Sequence, residues 1–404
     1  KAEKLQPDSK NSWSLVLMII ATGIAAALFI GKAPPSLPHI MEELGISLFT
    51  AGWVASVFHI LGAVFGLFAG LLADRLGPEK VIMGSLIVLI LGALLGSWAD
   101  SAELLLFSRV LEGAGYAATF VSAPSLIAIN SPPKNRAAAV SLWSSTTPIG
   151  MTIALIFAPL MIEVYGWRAN WFLTAAIATL FLLIFSSWIL PRLTPIPRSN
   201  RGSLENIKVV TISPGPWLLA IIFMNYTFQW VTMMVWLPTF GIEERGLSIN
   251  LTAWITALAI AVNVPGNWFG SWLIHNGISR WLLIFFGTLI MGSTSVFIFS
   301  EQLSDELRFC LVLLFSFCGG VQPAALISGA TVHSPTKSHL GATNGFMYQG
   351  SQSGSVFGPP IVAAIVTQTG KWEPAGWLLF SLTCISLLAV ALMRKHEKRI
   401  EDKY

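Results

Sequence analysis

Charge is what this sequence has least of. Asp, Glu, Lys and Arg together make up 11% of its 404 residues, against about 25% in an ordinary soluble domain. With 54% hydrophobic residues and a mean hydropathy of +0.70, the chain cannot cover a water-facing surface, which excludes a cytosolic enzyme. The same apolar content excludes intrinsic disorder, which needs low hydrophobicity. Cysteine is scarce: Cys310, Cys318 and Cys384 all lie in apolar stretches and read as buried thiols, not disulfides or metal ligands. No nucleotide-binding loop, metal-ligand constellation or nucleophile triad stands out, so the sequence reads as a non-enzyme without cofactor, metal or nucleic-acid partner. No signal-peptide pattern precedes the first apolar run. Because position 1 is Lys, the numbering is expected to start inside a longer protein.

What the chain does have is long apolar runs. A spanning helix needs about 20 apolar residues. The sequence offers twelve: 13–37, 49–72, 80–98, 103–128, 137–162, 170–190, 216–240, 250–274, 281–300, 307–331, 341–367 and 375–393, numbered here as spans 1 to 12. The fold class is therefore all-α and membrane-spanning, in two six-helix bundles. The expected units are an N-terminal bundle over 1–190, a Pro-, Arg- and Ser-rich cytoplasmic linker over 191–215, and a C-terminal bundle over 216–404. Trp residues such as Trp98, Trp167, Trp217 and Trp372 cluster at span ends, as amphipathic rings do at membrane interfaces. Eighteen of the 24 Lys and Arg residues fall on the side of the two termini and three on the other, which predicts both termini in the cytoplasm.

The halves repeat. Leu37-Pro38, Glu42-Glu43 and Gly45-Ile46-Ser47 recur as Leu237-Pro238, Glu243-Glu244 and Gly246-Leu247-Ser248. Gly77 matches Gly277, and Gly166 matches Gly370. Parallel six-helix repeats are an architecture of secondary transporters.

Four groups of residues carry candidate chemistry. Lys32 is a cation within span 1, able to hold an anionic solute or to snorkel to the interface. Arg109 and Glu112 share one face of span 4 at i and i+3. They read either as a self-neutralising ion pair or as a proton-coupling element, since intramembrane charge is costly. His59 in span 2 is either a proton relay or a neutral packing residue. In span 7, Asn225, Gln229 and Thr232 form a polar stripe beside Tyr226 and Trp230, which lines a cavity or bonds helix to helix. Asn263, Asn267, Tyr116, Gln322, Asn344, Gln349 and Gln352 are further solute-contact candidates. Small-residue stripes, Gly62, Gly66 and Gly70 in span 2 and Gly350, Gly354 and Gly358 in span 11, let helix backbones approach closely.

The loop after span 2 reads Gly70-Leu-Leu-Ala-Asp74-Arg75-Leu-Gly77-Pro-Glu-Lys80. It resembles the signature loop of the major facilitator superfamily, departing at Pro78 and Glu79. The Arg109-x-x-x-Gly113 run resembles the same superfamily's span 4 motif, and the resemblance covers nearly the whole chain. Tyr165-Gly166-Trp167-Arg168 and the Gln349–Pro360 run look like bacterial permeases of the cyanate/nitroimidazole type. The resemblance implies alternating access about a midplane site. It places Asp74, Arg75 and Gly77 at the cytoplasmic gate, and spans 2 and 11, with Gly62, Gly66, Gly354 and Gly358, at the sliding seam. The expected function is proton-coupled movement of a small organic solute, expected to be anionic, across a bacterial inner membrane by a monomer. A proton-driven exporter of drugs or siderophore-like metabolites and an uncoupled facilitator stay open.

Overall fold

The computed structural model describes residues 9–132, 139, 142–194, 204–336 and 340–401, with side chains described outside 9–12, 69–75, 204–206, 340–341 and 400–401. Eleven of its helices are long and apolar enough to cross a membrane. Leu340–Thr369, expected as span 11, is 30 residues long but is not among them. Its first two-thirds carry Asn344, Tyr348, Gln349, Ser351, Gln352, Ser353 and Ser355, too polar for lipid and suited to a helix enclosed by others.

The repeat seen in the sequence is turn chemistry. All six glycines with positive φ among the described residues form three pairs: Gly45 and Gly246 (61° and 62°), Gly77 and Gly277 (91° and 83°), Gly166 and Gly370 (76° and 67°). Such backbone geometry is strained for any residue with a Cβ. Two residues after Gly45 and Gly246, Ser47 and Ser248 accept the backbone N–H of Thr50 and Leu251. The Gly45 and Gly246 turns thus each end one span with a left-handed glycine and start the next with a serine N-cap. Ser101 and Ser304 cap spans 4 and 10 in the same way. The departure from the signature loop has a local reason as well. Pro78 and Glu79 occupy the first turn of span 3, where a missing N–H costs nothing and a negative charge faces the helix dipole.

Among the described residues spans 1, 2 and 6 are not continuous α-helices, span 6 ending through a π turn at Phe185–Ile189 and a 3-10 turn at Leu190–Arg192. Span 1 runs as Ser9–Gly31 and Ala33–Leu44, with Lys32 between them and Pro34 and Pro35 immediately after. It therefore ends at Leu44 and not near 37, which sets Lys32 deep in the span. Span 2 runs as Leu48–Ser56, a 3-10 turn over Val57–His59, and Ile60–Leu76. Span 4 (Ala102–Asn130) presses onto that turn through Gly113, where a Cβ would lie 1.7 Å from the Phe58 carbonyl oxygen.

Within each half the helices pack on one another, and the halves meet where span 2 lies along span 11 and span 5 (Thr146–Tyr165) along span 8 (Ile249–His275). The span 2–span 11 seam is closed along its length, from Gly52 against Pro360 to Leu67 against Gly345. Arginines tie the loops of each half opposite the N-terminal face. Arg168 donates to Glu43 and, at 2.6 Å, to the Ala99 carbonyl. Arg308 donates to the Ile298 and Leu303 carbonyls. A helix, Leu204–Ile212, lies within the expected linker.

Two expectations are corrected. The thiols are free but not buried: Cys310 and Cys384 are exposed and Cys318 half-buried, on outward faces that meet lipid in a spanning helix. Trp167 and Trp372 belong to the core, at 2% and 3% exposure, while Trp98 and Trp217 do present their rings outward.

Gly113→Ala is expected to lower the melting temperature of the purified protein, since forcing atoms into a packed site costs about 1–3 kcal/mol or more. Gly84→Ala in span 3, where a Cβ meets open space, is expected to leave it unchanged or raise it slightly. Equal melting of Gly113→Ala and wild type would contradict the close approach of span 4 to the span 2 turn.

Candidate functional site

The densest charge in the membrane-spanning part is a cluster inside the N-terminal half. Lys32 Nζ donates to Glu112 Oε1 at 2.6 Å and to Thr174 Oγ1 at 2.9 Å. Arg109 Nη1 donates to Glu112 Oε2 and, at 2.7 Å, to the Phe29 carbonyl, while its Nε reaches the Val54 carbonyl at 3.1 Å. The Lys32 ammonium sits 4.5 Å from the ring centroids of Phe29 and Trp171, and the Arg109 guanidinium 4.6 Å from that of Phe58. Exposure of all three charged side chains is 1% or less. Two basic side chains share one carboxylate, so with both protonated and Glu112 ionised the cluster carries one surplus positive charge, and Arg109 Nη2 has no hydrogen-bond partner.

Local breaks build this site. The turn at Lys32 and the 3-10 turn at Val57–His59 interrupt spans 1 and 2 beside it. Carbonyls of both spans, at Phe29 and Val54, serve as acceptors for Arg109. Gly92 of span 3 admits Glu112, since a Cβ there would lie 2.9 Å from its Cγ. Lys32 is thus committed to Glu112 and to span 6 (Trp171, Thr174). It does not snorkel, being 1% exposed and paired with Glu112.

The polar face expected in span 7 is only partly satisfied within the C-terminal half, since the buried Thr232 Oγ1 has no hydrogen-bond partner. Gln229 accepts from Thr383 of span 12 at 3.3 Å, and Trp230 donates to Ser316 at 3.0 Å. Asn263 donates to the Ser316 carbonyl at 3.0 Å and to the Tyr226 hydroxyl at 3.5 Å, and Asn267 donates to Asn263. Gln322 accepts from Thr288 at 3.0 Å. Asn225 is buried and its Nδ2 has no partner. Asn344 is exposed near the start of span 11, away from these groups.

A different set meets at the seam. His59 Nδ1 and Gln352 Oε1 are 2.6 Å apart, and Gln349 Nε2 donates to the Val64 carbonyl at 3.1 Å. Gly62 faces Gln352 and Gly66 faces Tyr348, so the span 2 stripe lies on the opposite half. The span 11 stripe does not: a Cβ on Gly350, Gly354 or Gly358 would meet Ala220, Met224 or Thr232 of span 7. Phe120 of span 4 stacks on Tyr348 of span 11, centroids 5.1 Å apart at 16°. Tyr116 adjoins Phe120 and bonds Thr147 at 2.7 Å. The side chains of Asp74 and Arg75 lie outside the described residues, while Gly77 makes the positive-φ turn into span 3.

Sequence reasoning missed Phe58, Phe120, Trp143, Trp171, Thr174 and Tyr348. A signal existed for one of them, because Glu112, Tyr116 and Phe120 are spaced i, i+4, i+8 on a single helix face. No pattern within span 6 marked Trp171 and Thr174.

The model of the Major Facilitator Superfamily matches residues 14–337. The chain is similar to a putative niacin/nicotinamide transporter of Bacillus subtilis, 27% identical over 86% of this chain and 87% of that one. It is also similar to a hexuronate transporter of the same organism, 22% identical over 95% and 94%. A 4-hydroxybenzoate transporter of Pseudomonas putida is 26% identical over 63% and 60%. Among solved structures, a bacterial homolog of the human lysosomal transporter Spinster, inward-facing and unoccupied, superposes with a TM-score of 0.74 at 18% identity, covering 97% of both chains. That likeness concerns the fold.

The charge count in the cluster orders two variants. Lys32→Met leaves one cation on one carboxylate, whereas Glu112→Gln leaves two buried cations without a counter-ion. Removing one partner of a buried pair costs about 3–5 kcal/mol, so Glu112→Gln is expected to melt well below Lys32→Met in a detergent thermal-unfolding assay. The reverse order would contradict the surplus positive charge.

Proposed function

Because this chain belongs to the Major Facilitator Superfamily, and is a multi-pass membrane transporter and not an enzyme, we propose that it moves a small organic anion together with protons by alternating access. The observation that carries this reading is the buried Lys32–Glu112–Arg109 cluster with its surplus positive charge. Protonation of Glu112 raises that surplus from one charge to two. The field at the midplane then favours an anion more strongly, and the anion in turn favours the proton, because coupling between two ligands is reciprocal. Relatives named for niacin/nicotinamide, hexuronate and 4-hydroxybenzoate support an organic-acid solute.

In this proposal residues 1–190 and 216–404 are the two rocking halves and 191–215 joins them. The protein is a monomer in a bacterial inner membrane. The Lys and Arg distribution supports both termini lying in the cytoplasm, with Asp74, Arg75 and Gly77 forming the cytoplasmic gate. His59 and Gln352 hold the halves together at mid-depth and must part in each cycle. Gly62 and Gly66 give span 11 room to slide.

Proteoliposomes test the coupling. With nicotinate, glucuronate, sulfoacetate and benzoate as labelled solutes, an outside-acid gradient is expected to drive accumulation of at least one. Glu112→Gln is expected to abolish that accumulation while keeping solute exchange across the membrane at equal pH, since exchange needs no net proton movement. Accumulation unchanged in Glu112→Gln would contradict the role of Glu112. Accumulation of bulky neutral or cationic compounds, unaffected by Lys32→Met, would favour an exporter.

A further inference from the structure

Which organic anions fit is decided by the walls of the site, and the inference about those walls rests on the organic-anion reading proposed above. An aromatic patch lines the N-terminal half where it meets span 11. Phe58 lies 5.3 Å from Tyr116, Tyr116 lies 5.7 Å from Phe120, and Phe120 lies 5.8 Å from Trp143. Tyr348 closes the patch from the opposite half, its ring nearly parallel to Phe120. The patch continues the charge cluster along one face of span 4, through Glu112, Tyr116 and Phe120, and the Phe58 ring adjoins both Arg109 and Tyr116.

Polar atoms within the patch are left unsatisfied. Trp143 is 5% exposed, yet its Nε1 has no hydrogen-bond partner, and neither does the buried Tyr348 hydroxyl. A buried donor without an acceptor is costly in a closed protein, and a bound acceptor removes that cost. Phe120 and Tyr348 belong to halves that move against each other in the proposed cycle. When the halves part, two parallel rings become two walls of a slot. A flat ring fits such a slot at the 4.5–7 Å centroid spacings that aromatic pairs prefer, roughly as in other stacked pairs. A saturated ring of the same size has no π face and is thicker.

We infer that the solute is a planar aromatic carboxylate, its ring taken between Phe120 and Tyr348 and its acceptor groups met by the Trp143 indole N–H and the Tyr348 hydroxyl, in the field of the positive cluster. The ring pair then acts as the specificity-determining element, and the charge cluster supplies the preference for anions.

The experiment compares benzoate with cyclohexanecarboxylate, acids of one charge and closely similar size, on the purified full chain. Thermal stabilisation and competition against a labelled accumulating solute are the two readouts. Benzoate is expected to bind at least tenfold more tightly. Phe120→Leu and Tyr348→Leu are expected to bring that ratio close to one, while Tyr348→Phe keeps the ring preference and weakens benzoate itself. The wild-type comparison needs no variant to fold. Equal affinity of the two acids overturns the inference, as does a preference that survives both leucine variants. If glucuronate or sulfoacetate binds and benzoate does not, the organic-anion reading stands and this inference falls. If no organic anion binds, both fall.

Discussion

A carboxylate held between two cations, out of reach of water, constrains the rest of this molecule. Charge inside a bilayer survives only when paired and hydrogen-bonded, and breaking such a pair leaves a buried ion that costs several kcal/mol, about 3–5 by mutational measure. Glu112 bonds both Lys32 and Arg109. Arg109 in turn takes carbonyls from two other spans beside their breaks. The turn at Lys32, the 3-10 turn at Val57–His59 and the glycines at 92 and 113 are the local structure that lets four spans converge on one point. Span 6 completes the enclosure with Thr174 and Trp171. In the proposed cycle function and stability are therefore coupled: the group proposed to change charge during transport also belongs to the cluster that joins four spans of the N-terminal half.

The C-terminal half repeats the frame without the charge. Serine caps place Ser101 opposite Ser304 in the repeat, and that register sets Arg109 against Val312 and Glu112 against Phe315, both buried apolar residues. Its spans are joined instead by neutral hydrogen bonds, Trp230 and Asn263 donating to Ser316 and Gln229 accepting from Thr383. Neutral networks of this kind are modest in energy and fix helix register in membranes. The asymmetry divides the labour in the proposed cycle. One half carries the titratable group, and the other presents a rigid wall whose span 11 supplies Tyr348, Gln349 and Gln352 to the seam.

The spans and the repeat were legible in the sequence because each rests on local rules: window hydrophobicity, left-handed glycines and serine caps. The pairing of Arg109 with Glu112 was legible too, since i, i+3 spacing is local. Lys32 was visible as a buried cation, but its partner was not, because Glu112 lies 80 residues away and only packing brings them together. The span 7 stripe shows the limit of periodicity. Spacing put Asn225, Gln229 and Thr232 on one face, yet could not say that Gln229 bonds Thr383 within the same half. The span 11 glycines were misplaced for the same reason, since a small-residue stripe announces a close neighbour without naming it. The aromatic seam was the least visible part, being assembled from spans 2, 4, 5 and 11, each of which contributes rings that look like ordinary core.

In the proposed cycle one proton on Glu112 balances one anionic solute. Current recorded from reconstituted protein on a solid-supported membrane, with a pH-sensitive dye in the lumen of matched vesicles, tests that balance directly. On a jump of a monoanionic solute it predicts acidification of the lumen in step with uptake and no sustained current. A sustained current with no change in lumenal pH would contradict it.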